Sequence, residues 1–265
     1  MYVADQTWPE LGDYVAEESV ALIPLGSTEQ HGPHLPLATD HLIAESLARA
    51  AADRAEVLCA PTVNVGVSPH HRQFHGTMWV DPPQFRDYVE SMTRNLAYHG
   101  IDRVVYVNAH GGNVQHLREV GRRLRDDGTM YAIEWMWDES IPDLVDEVFE
   151  RNGPHAGPKE TAMIMHVAGE LVRGDRLEDA RDGGLVDLDD SPNYMTHGAR
   201  TFFDAVENSG NGAFGDQTDA TPEAGERLFE AATEQLVKLV EWLDDSDIED
   251  LMAPAHADPQ PGSRR

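Results

Sequence analysis

A chain of 265 residues with 40% hydrophobic content can bury a full core and needs no more than one α/β domain, expected over 1–245. Its 48 acidic against 20 basic side chains give a net charge of -28 spread along the whole chain. That excludes nucleic acid as a partner, since phosphate binding needs clustered Lys and Arg, and points to the salt-adapted surface of a salt-loving archaeon. No apolar stretch approaches the roughly 20 residues that span a bilayer and no basic-then-apolar leader opens the chain, so a soluble, cytoplasmic protein without a membrane partner is expected.

In chain order, the apolar run 20–26 reads as a short buried strand. It opens into Glu29-Gln30-His31-Gly32-Pro33-His34-Leu35-Pro36-Leu37-Ala38-Thr39-Asp40, a Gly- and Pro-bent turn that gathers imidazoles and carboxylates at a strand's carboxyl end, where open α/β sheets place their sites. In extended chain, residues i and i+2 share a side, so Glu29 and His31 can converge on one metal centre while Gln30 faces away. Asp40 stands at the start of the amphipathic run 42–52, where it reads equally as a metal ligand or a helix N-cap.

The strand 57–65 carries the single cysteine, Cys59, which reads as a small buried apolar residue. It leads into Ser68-Pro69-His70-His71-Arg72-Gln73-Phe74-His75-Gly76-Thr77, a histidine-dense loop that reads as a substrate contact through Ser68, His70, His71 and Arg72. A helix over 83–99 and a strand over 103–107 follow. The strand runs into Asn108-Ala109-His110-Gly111-Gly112-Asn113, repeating the geometry of the first cluster, so adjacent parallel strands would bring His110 to Glu29 and Asp40. Gly111 and Gly112 allow a ligand close to the backbone; the alternative is a Gly-rich turn with a capping Asn113. His99 and His116 are expected on helix surfaces.

A helix over 114–126 and a strand over 130–135 lead to His155-Ala156-Gly157-Pro158-Lys159-Glu160-Thr161, a Gly-Pro turn into a helix over 159–169. Glu160 reads as a ligand or as a carboxylate complementing the helix dipole, and His155 as a general acid or base. The segment 174–215 has weak periodicity and is expected as an irregular excursion near the site, followed by a helix over 223–244 and a flexible, acidic, Pro-rich tail from 246 to 265. Strands alternating with helices imply an α/β fold with a mostly parallel sheet.

Four ordered motifs resemble the creatininase family of metal-dependent amidohydrolases over about 20–243. They are 24–36 with Thr39-Asp40, 108–113, His155-Ala156-Gly157 with Glu160-Thr161, and Gly212-Ala213-Phe214-Gly215-Asp216 with Ala220-Thr221. The resemblance implies a three-layer α/β/α fold and two divalent metal ions (zinc, manganese or ferrous iron). It implies Glu29, Asp40 and His110 as ligands of one ion, His31, Asp40 and Glu160 of the other with Asp40 bridging, and His155 as the histidine that contacts substrate and shuttles a proton. It also implies a homo-oligomer.

Two positions depart from the family's pattern. Creatinine hydrolases carry Tyr-Glu where this chain has Gly111-Gly112, and the usual Phe-Pro-Gly-Thr is Phe74-His75-Gly76-Thr77. The chemistry expected is hydrolysis of an unactivated, non-peptide C–N amide bond by a two-ion site. Resemblance to archaeal members with Gly-Gly implies a phosphorylated pyrimidine nucleotide as the small-molecule amide substrate: 2-amino-5-formylamino-6-ribosylaminopyrimidin-4(3H)-one 5'-monophosphate, deformylated in riboflavin and deazaflavin-coenzyme synthesis. His70, His71 and Arg72 are then expected to hold its phosphate. The alternatives are creatinine or another small cyclic amide, the terminal residues of a modified peptide in redox-cofactor maturation, and a non-catalytic metal-binding module. The last runs against the open, sulfur-free character of the ligand set.

Overall fold

The computed structural model describes residues 1–181, 183, 204–254 and 256. Strands β1 (Val20–Leu25), β2 (Leu58–Cys59), β3 (Arg103–Asn108) and β4 (Tyr131–Met136) form an all-parallel sheet in the order β2-β1-β3-β4. Around it run α1 (Trp8–Tyr14), α2 (Thr39–Arg54), α3 (Pro82–Tyr98), α4 (Val114–Asp126), α5 (Pro142–Val148), α6 (Pro158–Ala168), α7 (Leu177–Arg181), α8 (Ala205–Asn208), α9 (Pro222–Asp244) and α10 (Ile248–Leu251). No helix among the described residues is long and apolar enough to cross a membrane.

β1 and β3 are buried along their whole length because both faces are covered. Alternate residues therefore serve two cores. Val20, Leu22, Val105 and Val107 pack with Leu47 of α2, Met163 of α6 and Leu228 and Leu236 of α9. Ala21, Ile23, Val104 and Tyr106 pack with Phe85 and Val89 of α3 and with Leu117, Val120 and Leu124 of α4. This is the expected three-layer α/β/α arrangement.

The expected strand over 57–65 is cut to two residues. Pro61 has no N–H to continue a ladder, and the chain rejoins β1 only at the Leu25↔Val63 bridge. Helix α2 starts three residues before the amphipathic run, at Thr39. Among the described residues, helices α1, α5, α7, α8 and α10 lie outside the expected helices. α1 has a legible start, with Glu10 accepting from Thr7 N and Oγ1, whereas α5 is a seven-residue helix that begins at Pro142 without a capping side chain.

His99 is exposed at the end of α3 as expected, and Cys59 is buried. His116 is not a surface residue. It lies one turn before Val120 on the buried face of α4, with Nδ1 3.0 Å from Arg86 Nη1 and its ring edge-on to Phe85. The tail is docked through its described part: Leu251 of α10 is buried, Arg125 Nε donates to Leu251 O at 3.0 Å, and Arg103 donates to Ser246 O at 2.7 Å. Residues 255 and 257–265 lie outside the described residues, as do 182 and 184–203 of the expected irregular excursion; its described parts include α7 and α8.

Candidate metal centre

From β1 the chain crosses to β2 on one side and later to β3 on the other, so the sheet order reverses between β1 and β3 and leaves a crevice beyond their carboxyl ends. The loop after β1 supplies Glu29 and His31, and the loop after β3 supplies His110. Asp40 comes from the first turn of α2 and Glu160 from the first turn of α6. Gly26 permits this convergence, because a Cβ there would strike the backbone of Asp40 and His41.

The N-cap of α2 is Ala38, which has no capping side chain, so the cap reading of Asp40 does not hold. Its carboxylate is buried instead between two imidazoles: Oδ1 stands 2.9 Å from His31 Nε2 and Oδ2 3.0 Å from His110 Nδ1. Glu29 Oε2 is 3.4 Å from the same His110 nitrogen. On the other side of Glu29, Oε1 faces His71 Nε2 at 3.4 Å and His155 Nδ1 at 3.6 Å. A carboxylate oxygen of Glu160 lies within 4.8 Å of ring nitrogens of His31 and His155. Asn113 does not cap α4. Its side chain accepts from Val67 N and donates to Gly26 O, pinning three loops together.

The donor set fits divalent metal. Glu29 Oε1 and Oε2 and Glu160 Oε2 are buried without a hydrogen-bond partner, and Asp40 Oδ2 and His31 Nε2 meet only the ionisable groups of the cluster itself, which is costly for charged groups unless a cation, proton or metal, lies between them. Ligand atoms of Glu29, His31 and Asp40 lie within 4.8 Å of one another, as do those of His31, His155 and Glu160, and those of Glu29, His70 and His110. The outer nitrogens are already occupied: His31 Nδ1 lies 3.1 Å from Glu29 O, and His110 Nε2 3.0 Å from Val67 O. Donation to these carbonyls leaves His31 Nε2 and His110 Nδ1 facing the carboxylates, so that on loss of the proton there each would present a lone pair to a metal ion.

Electrostatics point the same way. Burial pushes the Glu29 carboxyl up to about 7. Burial opposes a charge on His31 and His110, but the surrounding carboxylates outweigh it and push them up to about 10 and about 9. His71 and His155 go the other way, held well below the ordinary histidine range by burial and by neighbouring imidazoles. The protein thus keeps one pair of imidazoles ready to exchange protons for cations and another pair neutral.

A cavity of about 270 Å³ opens over this cluster. It is lined by Glu29, His70, His71, His110, Gly111, Gly112 and His155, joined by Pro154, Ala205, Asn208 and Phe214. Gly112 is required there, since a Cβ would strike Val67 O and the His110 ring. Two of the residues expected to touch substrate do not line it. Ser68 is buried in contact with Ser27 and Met78 O, and Arg72 turns outward into an ion pair with Asp204. His75 is exposed. Asn208, buried with Oδ1 unpartnered, has no sequence signal, because it sits in the weakly periodic stretch before the Gly212 motif. Gln30 is the other residue the sequence does not single out. It is expected to face away, and it is buried against His71 and His155.

Comparison with known proteins bears on this geometry. The sequence model of the family described as "Creatininase: Creatinine amidohydrolase" matches residues 4–240. A Mycobacterium ulcerans protein named mycofactocin precursor peptide peptidase is 34% identical over 246 residues, covering 89% of this chain and 86% of that protein. A Methanothermus fervidus protein named 2-amino-5-formylamino-6-ribosylaminopyrimidin-4(3H)-one 5'-monophosphate deformylase is 32% identical over 146 residues, 55% of this chain and 54% of that protein. Among solved structures, that of creatinine amidohydrolase superposes with a TM-score of 0.78 at 22% identity over 93% of this chain and 98% of that one, a likeness of fold.

Proposed function

The chain belongs to the creatininase family, metal-dependent hydrolases of carbon–nitrogen amide bonds, and from that premise we propose that it cleaves an amide of a peptide-derived substrate with two bound divalent ions. The observation that carries the chemistry is the convergence of three buried carboxylates, with orphaned oxygens, on His31 and His110 at the floor of the cavity. Glu29, Asp40 and His110 would hold one ion and His31, Asp40 and Glu160 the other. Zinc, manganese and ferrous iron all suit this oxygen and nitrogen set. When bound, such ions acidify water and polarise a carbonyl.

The chain's own groups supply the rest. His155, neutral and beside Glu29, receives a proton at Nδ1 during attack and returns it to the departing nitrogen. Gly111 and Gly112 let substrate lie against the backbone, and Asn208 Oδ1 offers an acceptor to a substrate N–H.

The peptide reading draws support from the extent of likeness to the peptidase relative. Arg72 adds to it: the one cation expected to hold a phosphate is committed to Asp204, with Nη1 2.9 Å from Oδ1. The nucleotide deformylase reading stands second, favoured by the 32% identity over 146 residues to a protein of that name. Zinc-, manganese- and anaerobic ferrous-loaded protein, offered a synthetic mycofactocin precursor peptide, the formylamino nucleotide and creatinine in parallel, separates them. Peptide cleavage is expected. Formate released from the nucleotide with the peptide left intact would overturn the choice.

A further inference from the structure

Gln30 sits where the two neutral histidines of the cavity can be addressed together. Its amide is oriented by two backbone groups that allow one reading each. Gly32 N can only donate, and it lies 2.9 Å from Gln30 Oε1; Gly212 O can only accept, and it lies 3.1 Å from Nε2. Gly212, at φ +84°, has no room for a Cβ against this side chain. Thr77 Oγ1 accepts from Gln30 N at 3.1 Å and holds the residue's backbone.

With the amide fixed, the hydrogens can be counted. Nε2 carries two, and three atoms stand within reach: Gly212 O, His71 Nδ1 at 2.8 Å and His155 Nε2 at 2.9 Å. His155 Nε2 also lies 2.8 Å from the backbone carbonyl of Gln30, which can only accept. One distribution satisfies every group. His155 Nε2–H donates to Gln30 O, while the two amide hydrogens go to Gly212 O and His71 Nδ1. Giving an amide hydrogen to His155 instead would orphan both the carbonyl and His71 Nδ1 in a buried place.

We propose that Gln30 is a positioning residue that assigns opposite roles to the two histidines. Both rings carry their hydrogen on Nε2, but they present different ends to the cavity. His71 shows an N–H, and His155 shows the Nδ1 lone pair, both toward Glu29 Oε1. His71 is thereby a donor for a substrate oxygen or for Glu29 and is excluded as a metal ligand, although its atoms fall within ligand range of Glu29 and His155. His155 is left as the group that can accept a proton. The consequence for turnover rests on the amidohydrolase reading above; the tautomers themselves do not.

Nitrogen-15 histidine spectra of the zinc-loaded protein test this directly. Nε2–H on both rings, with His71 Nδ1 accepting a hydrogen bond, is the expected result, and Nδ1–H on either ring overturns the proposal. In Gln30→Met, His71 should lose its single tautomer while His155, bonded to the backbone carbonyl of residue 30, keeps its own, and kcat should fall by about 10²- to 10³-fold, the range for loss of one donor aimed at a substrate oxygen, with zinc content and KM little changed. A folded Gln30→Met protein with an unaltered His71 spectrum also overturns it. If that variant does not fold, the spectrum of the unmutated protein still decides. Absence of turnover on every substrate tested counts against the substrate reading, and the role of Gln30 then stands or falls on the two tautomers alone.

Discussion

Loading the centre with metal should release protons, in a number set by the imidazoles. Without metal, the carboxylates around His31 and His110 outweigh burial and push these rings up to about 10 and about 9, while burial pushes Glu29 up to about 7. Near pH 7.5 both rings therefore carry a second proton. A ligating imidazole must present a lone pair, so filling both positions should expel about two protons. Between about pH 7 and 9 the logarithm of the apparent association constant should then rise by about two per pH unit. His71 and His155 add nothing, being neutral already.

The same displacement fixes the sign of the metal-free protein's stability. Folded-state values above the ordinary 6.5 for His31 and His110 contribute stability that is complete below that pH and lost as pH rises through 9 to 10. Glu29, raised from 4.5 to about 7, acts in the same direction at lower pH. Asp40 is lowered in spite of its burial, because His31 and His110 stabilise its charge, and its contribution is lost only on strong acidification. Metal-free protein should thus lose on the order of 1 to 3 kcal/mol per pH unit above neutrality, several degrees in Tm, and loaded protein should not. Titration calorimetry with zinc in buffers of different ionisation enthalpy counts the protons. Release of less than about half a proton would refute this arrangement of charges.

Gly112→Ala should place a methyl group against Val67 O and the His110 ring, costing about 1–3 kcal/mol of stability and emptying the position His110 helps to form; metal content and thermal unfolding check both. Glu29→Ala should abolish activity with far-ultraviolet dichroism retained, whereas a purely structural metal module would unfold. Arg72→Ala should change the affinity for the formylamino nucleotide, read as its Kd, less than about threefold, because its charge is spent on Asp204; a tenfold weakening, about 1.4 kcal/mol, would restore it as a phosphate contact. Raising salt from about 0.1 to 1 M shrinks the Debye length from about 10 to 3 Å, so a chain of net charge -28 should gain Tm across that range, and a flat or falling curve would count against a salt-adapted surface.

How much can be read from the chain follows from what each residue's environment depends on. β1 and β3 are legible because a parallel strand buried between two helical layers is a continuous apolar run, as in Val104-Val105-Tyr106-Val107, and the half-buried edge strand β4 because Tyr131, Ile133 and Trp135 are strand-favouring residues. The gathering of Glu29, His31, Asp40, His110 and Glu160 is legible because strand ends and helix starts at one crevice share a location in any such sheet. Arg72 is not, because its place depends on Asp204, more than a hundred residues later. His116 is misread by composition, when its spacing of four from Val120 and eight from Leu124 puts it on the buried stripe. Asn113 looks like a cap because Asn before a helix often is one; only the approach of Gly26 O and Val67 N from other loops gives it different partners.

The three consecutive residues Glu29-Gln30-His31 show how one local rule can be sound and its conclusion incomplete. Alternation along extended chain correctly separates Gln30 from the ion cluster. The side it takes, however, is occupied by the far ends of two rings whose near ends face Glu29. Glu29 Oε1 meets His71 Nε2 and His155 Nδ1, while the amide of Gln30 meets His71 Nδ1 and its carbonyl meets His155 Nε2. Adjacent residues thus grip both ends of the same pair of imidazoles. The segment that provides His31 to the cluster also orients both neutral rings of the cavity, so a change of the Gln30 side chain should remove the His71 donor without altering metal content. That separation distinguishes a residue that orders the chemistry from one that only fills the core.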